Sequence, residues 1–394
     1  MLRHGILSST YQPTISISVD GSLILTFITE ASTNAFDPAF TVGSGILNWN
    51  LGDASTSVDG NAFSHTYAGG GNKTVKVYQG TTDGSTDVDT INMPSDDLVG
   101  TLDVSGLTGL GGAFYVYGNS NLTSILNPTS SETFSYYYAY NCDLTGVLDC
   151  SGLTGLGGNF RVNSNPNLTS ILNPDSSQAF TYYYAYECDL TGVLDVSGLT
   201  GLGGSFQVRN NGNLTQILNP ESSEVFTGYA AYGCDLTGVL DVSGLSGLGG
   251  TFSANNNSNL TSILNPTSSE IFSVYYANNC DLTGVLDVSG LTNLGGIFYA
   301  QNNSNLEDIL LPTISQQFTL FDADDCSLGL YTVDDIFSKM NTWYTANAPT
   351  AALTIDLGGG TNMPPTDGAS NADILNLEII FDGASKALTI TINE

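Results

Sequence analysis

Basic residues are scarce in this chain. Seven Lys and Arg stand against 38 Asp and Glu in 394 residues, a net charge of −31. A field of that sign repels nucleic acid and anionic lipid surfaces, so neither is expected as a partner. No apolar run approaches the ~20 residues that span a bilayer, so membrane insertion is not expected either. The opening Met1-Leu-Arg-His-Gly-Ile-Leu-Ser-Ser-Thr has a basic start but no apolar core of about 7–15 residues, and no signal peptide is evident in it. The two histidines, His4 and His65, have no candidate nucleophile near them in sequence, which argues against a hydrolytic triad. Six cysteines are present without a CxxC pair or a His-rich cluster, which argues against zinc. No cofactor and no metal site is expected, with calcium left open.

What is present is repetition. The stretch Leu144-Thr-Gly-Val-Leu-Asp-Cys-Ser-Gly-Leu-Thr-Gly-Leu-Gly-Gly returns nearly unchanged from Leu190, Leu236 and Leu282, with a first copy from Leu98, at a period of 46 residues. A fixed period of this length marks a stacked architecture in which one unit cannot bury its apolar face alone. Each unit halves again. Asn119, Asn165, Asn211, Asn257 and Asn303 form one column, and Cys142, Cys188, Cys234, Cys280 and Cys326 fall midway, so one coil is 23 residues. A small side chain at that position can bond backbone groups stranded by a sharp turn, while Cys fills the same slot as a small hydrophobe. These ten residues are therefore expected to form a structural ladder. Neighbouring cysteines of the ladder stand two coils apart, about 10 Å, too far for a disulfide.

The Gly-Gly pairs at 111–112, 157–158, 203–204, 249–250 and 295–296 are expected at a second turn that needs positive φ or close backbone approach. They are not followed by helical patterns, so they are turns and not phosphate cradles. The return side, with Ser-Gly and Asn-Pro words, is expected to hold turns and short strands. About ten coils at ~4.8 Å give a rod or shallow arc roughly 50 Å long. Asp103, Asp149, Asp195, Asp241 and Asp287 recur in every unit. Recurrence fits turn residues better than calcium ligands or a catalytic acid, because catalysis needs one specialised pair. Asn-Leu-Thr at 121, 167, 213 and 259 matches a glycosylation acceptor, but its place in a column argues for structure.

Each coil has apolar residues five and three positions before its Asn or Cys and a Leu after it, as in Phe160-Arg-Val162-Asn-Ser-Asn165-Pro-Asn-Leu168 and Tyr183-Tyr-Ala185-Tyr-Glu-Cys188-Asp-Leu190. This resembles the leucine-rich repeat over roughly 98–330, with Phe, Tyr and Ala replacing much of the usual Leu, so a parallel β-helix stays open. Upstream, Leu47-Asn-Trp49-Asn-Leu-Gly52-Asp53, then His65-Thr66-Tyr67 and Thr74-Val-Lys-Val, resembles the polycystic-kidney-disease-type (PKD) domain, apart from Leu51 and Ala54. That resemblance implies an immunoglobulin-like fold and a spacer or docking role on an extracellular protein. Alternating stretches such as Thr14-Ile-Ser-Ile-Ser-Val and Leu23-Ile-Leu-Thr-Phe-Ile-Thr agree with a small β-sandwich. Tyr331-Thr-Val-Asp-Asp-Ile-Phe-Ser-Lys-Met-Asn-Thr-Trp-Tyr is the one helical period, and it opens a segment placed to cap the last coil. That segment resembles tails that follow such repeats in surface and phage proteins of Bacteroidetes-type bacteria. The expected chain is mainly β: an arm at 1–14, a PKD-like immunoglobulin-like β-sandwich at 15–94, a leucine-rich-repeat solenoid at 95–330 with a parallel sheet and few helices, and a small α+β cap at 331–394.

Variation between copies is confined to outward strand positions. In the Cys coils these are Tyr136, Tyr138, Tyr140; Tyr182, Tyr184, Tyr186; Gly228, Ala230, Tyr232; Val274, Tyr276, Asn278; and Leu320, Asp322, Asp324. In the Asn coils they are Tyr115 and Tyr117; Arg161 and Asn163; Gln207 and Arg209; Ser253 and Asn255; Tyr299 and Gln301. Inward columns barely change. A fixed frame with a varied Tyr, Asn, Gln, Ser and Arg face has the composition of a recognition surface. The expected ligand-binding residues are Tyr115, Tyr117, Tyr136, Tyr138, Tyr140, Arg161, Asn163, Tyr182, Tyr184, Tyr186, Gln207, Arg209, Tyr232 and Tyr276. Tyrosines suit sugar rings, and Arg161 and Arg209, the only basic residues of the repeats, suit an acidic sugar or phosphate.

The expected function is non-enzymatic: adhesion or receptor recognition at a virion surface or in the extracellular space, as in a phage fibre or decoration protein, with a bacterial surface glycan or protein as partner. Other virion subunits are expected at the N-terminal region, in a homo-oligomeric assembly. Two alternatives are a structural polymer with the Tyr face as subunit contact, and a tailspike-like glycan hydrolase on a β-helix. For the latter, Glu187, Asp322 and Asp324 are the outward acids to nominate.

Overall fold

A computed structural model of the chain describes residues 23–31, 35–42, 46–53, 58–67, 70–79, 88–107, 109–313 and 317–393. The expected arm at 1–14, with His4, and the expected strand at 14–19 lie outside the described residues. The chain is a β-solenoid of about ten stacked coils, with two α-helices among the described residues. Every coil sends one strand to a long parallel sheet, as in Gly158–Arg161, Phe180–Tyr184 and Gly204–Gln207. A second strand lies on the return side. There a Cys coil pairs with the next Asn coil, as Thr145–Asp149 does with Asn167–Leu172, giving four two-stranded ribbons.

The Asn ladder shows why the chain can turn so sharply. In Asn211 the amide nitrogen donates to the Val208 carbonyl of its own coil at 2.7 Å and to Ala185 of the preceding coil at 2.9 Å, and the oxygen accepts from Leu190 N–H at 3.2 Å. Asn119, Asn165, Asn257 and Asn303 do the same, and all five are fully buried. A Cys makes fewer of these bonds: Cys234 Sγ–H reaches Val208 O at 3.3 Å. The residue before each ladder position is left-handed, at φ between 48° and 76° from Gly118 through Asp325. Those residues are Gly118, Asn141, Ser164, Glu187, Asn210, Gly233, Asn256, Asn279, Asn302 and Asp325, mostly the types that tolerate that conformation. At the second turn, Gly204 has φ +58° and an added Cβ would lie 2.4 Å from Thr181 O, while one on Gly203 would lie 2.5 Å from Glu224 Cβ. The pairs at 111–112, 157–158, 203–204 and 249–250 thus meet both a conformational and a spatial requirement.

A spine of rings fills the interior. Phe114, Tyr137, Phe160, Tyr183, Phe206, Tyr229, Phe252, Tyr275, Phe298 and Phe321 follow one another at centroid spacings of 4.7 to 5.6 Å. Stacked coils and offset stacked rings want the same separation, so the two reinforce each other. The four buried phenols donate to Asn127, Asn173, Asn219 and Asn265, the asparagines of the Asn-Pro words, at 3.0 to 3.2 Å. The same asparagines donate to Asp149, Asp195, Asp241 and Asp287 carbonyls at 2.8 to 3.0 Å, so no polar atom of the spine is left dry.

Both ends are joined through the sheets. At the N-terminal end Val88–Asn92 pairs parallel with Gly112–Tyr115 and antiparallel with Ala39–Val42. Leu23–Ala31 meanwhile pairs antiparallel with Leu98–Asp103 and with Gly71–Gln79, which pairs with Leu47–Asn50. Two sheets upstream therefore run on into the two sides of the solenoid. Trp49 is fully buried between them, and His65 bonds Asp53 at 2.9 Å and packs edge-on against Tyr67. After the repeats, Leu353–Leu357 and Leu388–Ile392 add two parallel strands to the long sheet, with α1 (Leu330–Ala346) and α2 (Ala372–Gly383) on the return path. The segment at 331–394, expected as a cap, thus continues the stack with helical returns. The ladder extends both ways. Asp96 stands one coil before Asn119, and Asn362 donates to Ala323 and Leu357 carbonyls while accepting from Leu328 N–H.

Two predictions follow from the ladder. Asn211→Ala orphans the Ala185 carbonyl and the Leu190 N–H and leaves Val208 O to Cys234 Sγ–H alone. It should cost about 2–5 kcal/mol, against less than about 1.5 for Cys234→Ser, whose hydroxyl can make the same donation; urea unfolding compares them. Asp96 is 3% exposed and its Oδ1 accepts from Asp37 N–H at 2.8 Å, while Oδ2 has no partner. Burial pushes its carboxyl up to about 7, only partly offset by that bond. The folded state therefore holds a proton that the unfolded chain releases near pH 4, and stability falls as pH rises from about 4 through 7. Asp96→Asn should flatten that limb in melts taken at pH 5 and pH 8; an unchanged slope would place the titration elsewhere.

Candidate binding face

The outward positions of the long sheet form a lattice set by strand alternation and coil stacking. Register places Tyr136, Asn159 and Tyr182 in one column and Tyr138, Arg161 and Tyr184 in the next. Backbone bonds from Asn141 to Asn163 and from Ser164 to Tyr186 carry a third column, Tyr140, Asn163 and Tyr186. Arg161 is thus the centre of a three-by-three patch with a row of three tyrosines on either side. Its guanidinium lies 5.1 Å from the Tyr138 and Tyr184 ring centroids and 4.9 Å from Tyr182. Cation–π contacts of this kind are worth about 0.5–2 kcal/mol each. Burial raises the Tyr138 phenol above its ordinary range, and Arg161 partly offsets this.

The aromatic field continues toward the N-terminal end. Tyr117 stacks on Tyr140 at 4.7 Å with rings 4° from parallel, and Tyr115 lies 5.2 Å from Tyr138 and 5.7 Å from Tyr136. Toward the other end it thins: Gln207 bonds Ser205, and Tyr276 meets Tyr299 at 5.3 Å beyond the small residues Gly228, Ala230 and Ser253. Tyr232 stands 5.9 Å from the Arg209 guanidinium.

Two expected ligand-binding residues are differently placed from the sequence reading. Arg209 is not available as a free cation. It stacks over Tyr186 at 4.0 Å and pairs with Glu187 at 3.0 Å. Asn163 is 7% exposed between Tyr140 and Tyr186, with its amide donating to Ser164 Oγ at 3.2 Å, because its neighbours are larger than it is. Arg161 has no carboxylate partner among the described residues, and its Nε and the Asn159 Oδ1 are buried without a hydrogen-bond partner.

No protein-family model, curated protein or solved structure matches the chain.

The acids are less scattered than the sequence suggests. Asp322 and Asp324 share the last outward positions, Asp324 N–H donating to Asp322 Oδ1 at 3.2 Å, and Asp356 of the next strand aligns with Asp322. Asp356 was missed because a 17-residue helix separates it from that strand. Burial lifts Asp322 to about 7, with Asp324 and Asp356 adding to the rise. Glu187 lies apart from them, on Arg209. No three His, Cys, Asp or Glu among the described residues gather as metal ligands would. The recurring aspartates are turn residues, as Asp195 shows by accepting from Ser197 N–H at 2.9 Å. The acceptor-like Asn167, Asn213 and Asn259 donate to aspartates of the coil before, at 2.7 to 2.8 Å. A recess of about 490 Å³ lies on the return side between Leu218 and Val239, and similar recesses stand beside Leu126, Leu172 and Leu264.

All six cysteines are free thiols. Burial pushes Cys142, Cys234 and Cys280 up to about 11 and Cys188 and Cys326 up to about 12, with Cys150 higher still. Unfolded thiols lose their protons near pH 8.5. The folded state then holds more protons, so the thiols' contribution to stability should be steady below about pH 8.5 and fall as pH climbs toward 11–12. Ellman's reagent at pH 8 should react slowly with the native chain and with all six thiols once it is unfolded; a rapid native reaction would contradict the buried ladder.

Proposed function

We propose that this chain is a non-enzymatic recognition protein that binds a bacterial surface glycan or protein through the Tyr-rich face of a leucine-rich-repeat-type solenoid. One observation carries the proposal. Over the same stacked copies, inward columns keep their residues while the outward lattice changes and gathers tyrosines around Arg161. Rigid amphipathic rings give contact area at low entropy cost, and the faces of sugar rings are apolar enough to lie on them. The upstream β-module is read as PKD-like and immunoglobulin-like, and its buried Trp49 and Asp53–His65 pair are consistent with that. With the net charge of −31 and thiols compatible with a reducing history, the favoured setting is a virion or other extracellular surface, with the N-terminal region attached to other subunits of a homo-oligomeric assembly.

A second reading, glycan hydrolysis, is favoured by one feature, the raised carboxyl of Asp322 beside Asp324 and Asp356. Release of reducing ends from a bound polysaccharide, lost in Asp322→Asn, would establish it in place of simple binding. For the main proposal the test is a glycan-array and whole-cell binding screen of the parent chain beside a Tyr138→Ala, Tyr184→Ala, Arg161→Ala variant. The parent should bind and the folded variant should lose at least about tenfold in affinity, near 1.4 kcal/mol. No binding by a folded parent would favour the structural-polymer alternative, which a sizing column would show as large species.

A further inference from the structure

The face carries two arginines, but the structure gives them different work. Glu187 occupies the left-handed position before its ladder residue, φ 55°, where the other coils place Gly, Asn, Ser or Asp. A Glu there costs backbone energy that those residues largely avoid. In return its carboxylate holds Arg209 at 3.0 Å. Arg161, one row of tyrosines away, has three rings around it, no carboxylate, and a buried Nε without a partner. The geometry points to a single anion seat at Arg161, for a glycan that is mostly neutral and carries isolated carboxylates, with Glu187 acting to silence the second charge. This rests on the recognition reading above and narrows its ligand class.

The charge balance decides between sparse and dense anions. A densely sulfated chain would meet one available cation on this face, on a molecule of net charge −31, and each further anionic group would add repulsion over a Debye length of about 10 Å at 0.1 M salt. A lone carboxylate meets the Arg161 guanidinium at contact distance, where a charge-assisted bond outweighs the screened distant field. The sugars on either side of it then lie over the rows Tyr136, Tyr138, Tyr140 and Tyr182, Tyr184, Tyr186, which stand two coils, about 10 Å, apart.

The test uses the full chain with three immobilised probes: gellan, in which one sugar of each repeat carries a carboxylate; carboxyl-reduced gellan; and heparin. Gellan should bind about tenfold more tightly than its reduced form and more tightly than heparin, despite heparin's greater charge. Arg161→Gln should bring gellan down to the reduced form, Arg161→Lys should restore part of the difference, and Arg209→Gln should leave it within about threefold. Glu187→Gln, which frees Arg209, should strengthen heparin binding and steepen its salt dependence. Heparin binding best to the parent, or equal losses from Arg161→Gln and Arg209→Gln, would overturn the single-seat proposal. Equal binding of gellan and its reduced form, insensitive to Arg161, would overturn it while leaving glycan recognition standing. Failure of a folded parent to bind any of the three would sink both.

Discussion

The fold depends on satisfying the backbone at one turn. Every coil reverses inside the stack and strands carbonyls and an N–H away from water, each costing roughly 1–3 kcal/mol if left unpaired. The ladder amide answers three of them at once and does so between coils, so each Asn is also the bond that holds its coil to the preceding one. Cysteine answers fewer, and a Cys coil is always followed by an Asn coil that completes the set. This explains the 46-residue period. The chemistry of the turn repeats every two coils although the geometry repeats every one, and the return-side ribbons pair in the same twos.

Much of this was legible in the sequence because stacking converts a one-dimensional period into columns. Residues 23 apart share a place, so Asn119, Cys142 and Asn165 announce the ladder and Tyr138, Arg161 and Tyr184 announce the face. What was hidden departs from its column's residue type, breaks the period or lies off the strand. Asp96 keeps the period, 46 residues before Cys142 and just ahead of the repeated word that starts at Leu98, but an acid disguises a column otherwise filled by Asn and Cys. Asn362 follows Leu357 by five residues, whereas Asn303 follows Ala300 by three, so no fixed spacing reveals it. The sequence makes Glu187 an outward acid, yet its left-handed backbone turns it toward Arg209, and strand alternation says nothing about a residue in that conformation. Asn163 was counted on the face by its column; its burial is decided by the size of Tyr140 and Tyr186 beside it, which no property of Asn163 itself encodes.

The left-handed column was a signal available and unused. Gly, Asn, Ser and Asp fill it in nine of the ten coils from Gly118 to Asp325, and only Glu187 departs. A departure from a column whose physical requirement is known carries more information than any conserved member of it. Here it marks the one place in the lattice where an acid reaches across to a basic residue.

A stack of nearest neighbours also separates stability from recognition. In such an array stability is approximately a sum of each coil's own term and its contacts with the coils on either side. The spine, the ladder and the Gly-Gly turns carry those terms, and they lie inside or at the turns, away from the outward positions. An outward substitution therefore perturbs at most its own coil and two others. The face can pass from tyrosines and Arg161 at one end to Asp322, Asp324 and Asp356 at the other without a change of frame. The same economy sets a limit on the binding site. Because the outward positions lie on one continuous sheet, a ligand bound there is selected by the charge and flatness it presents along consecutive rows.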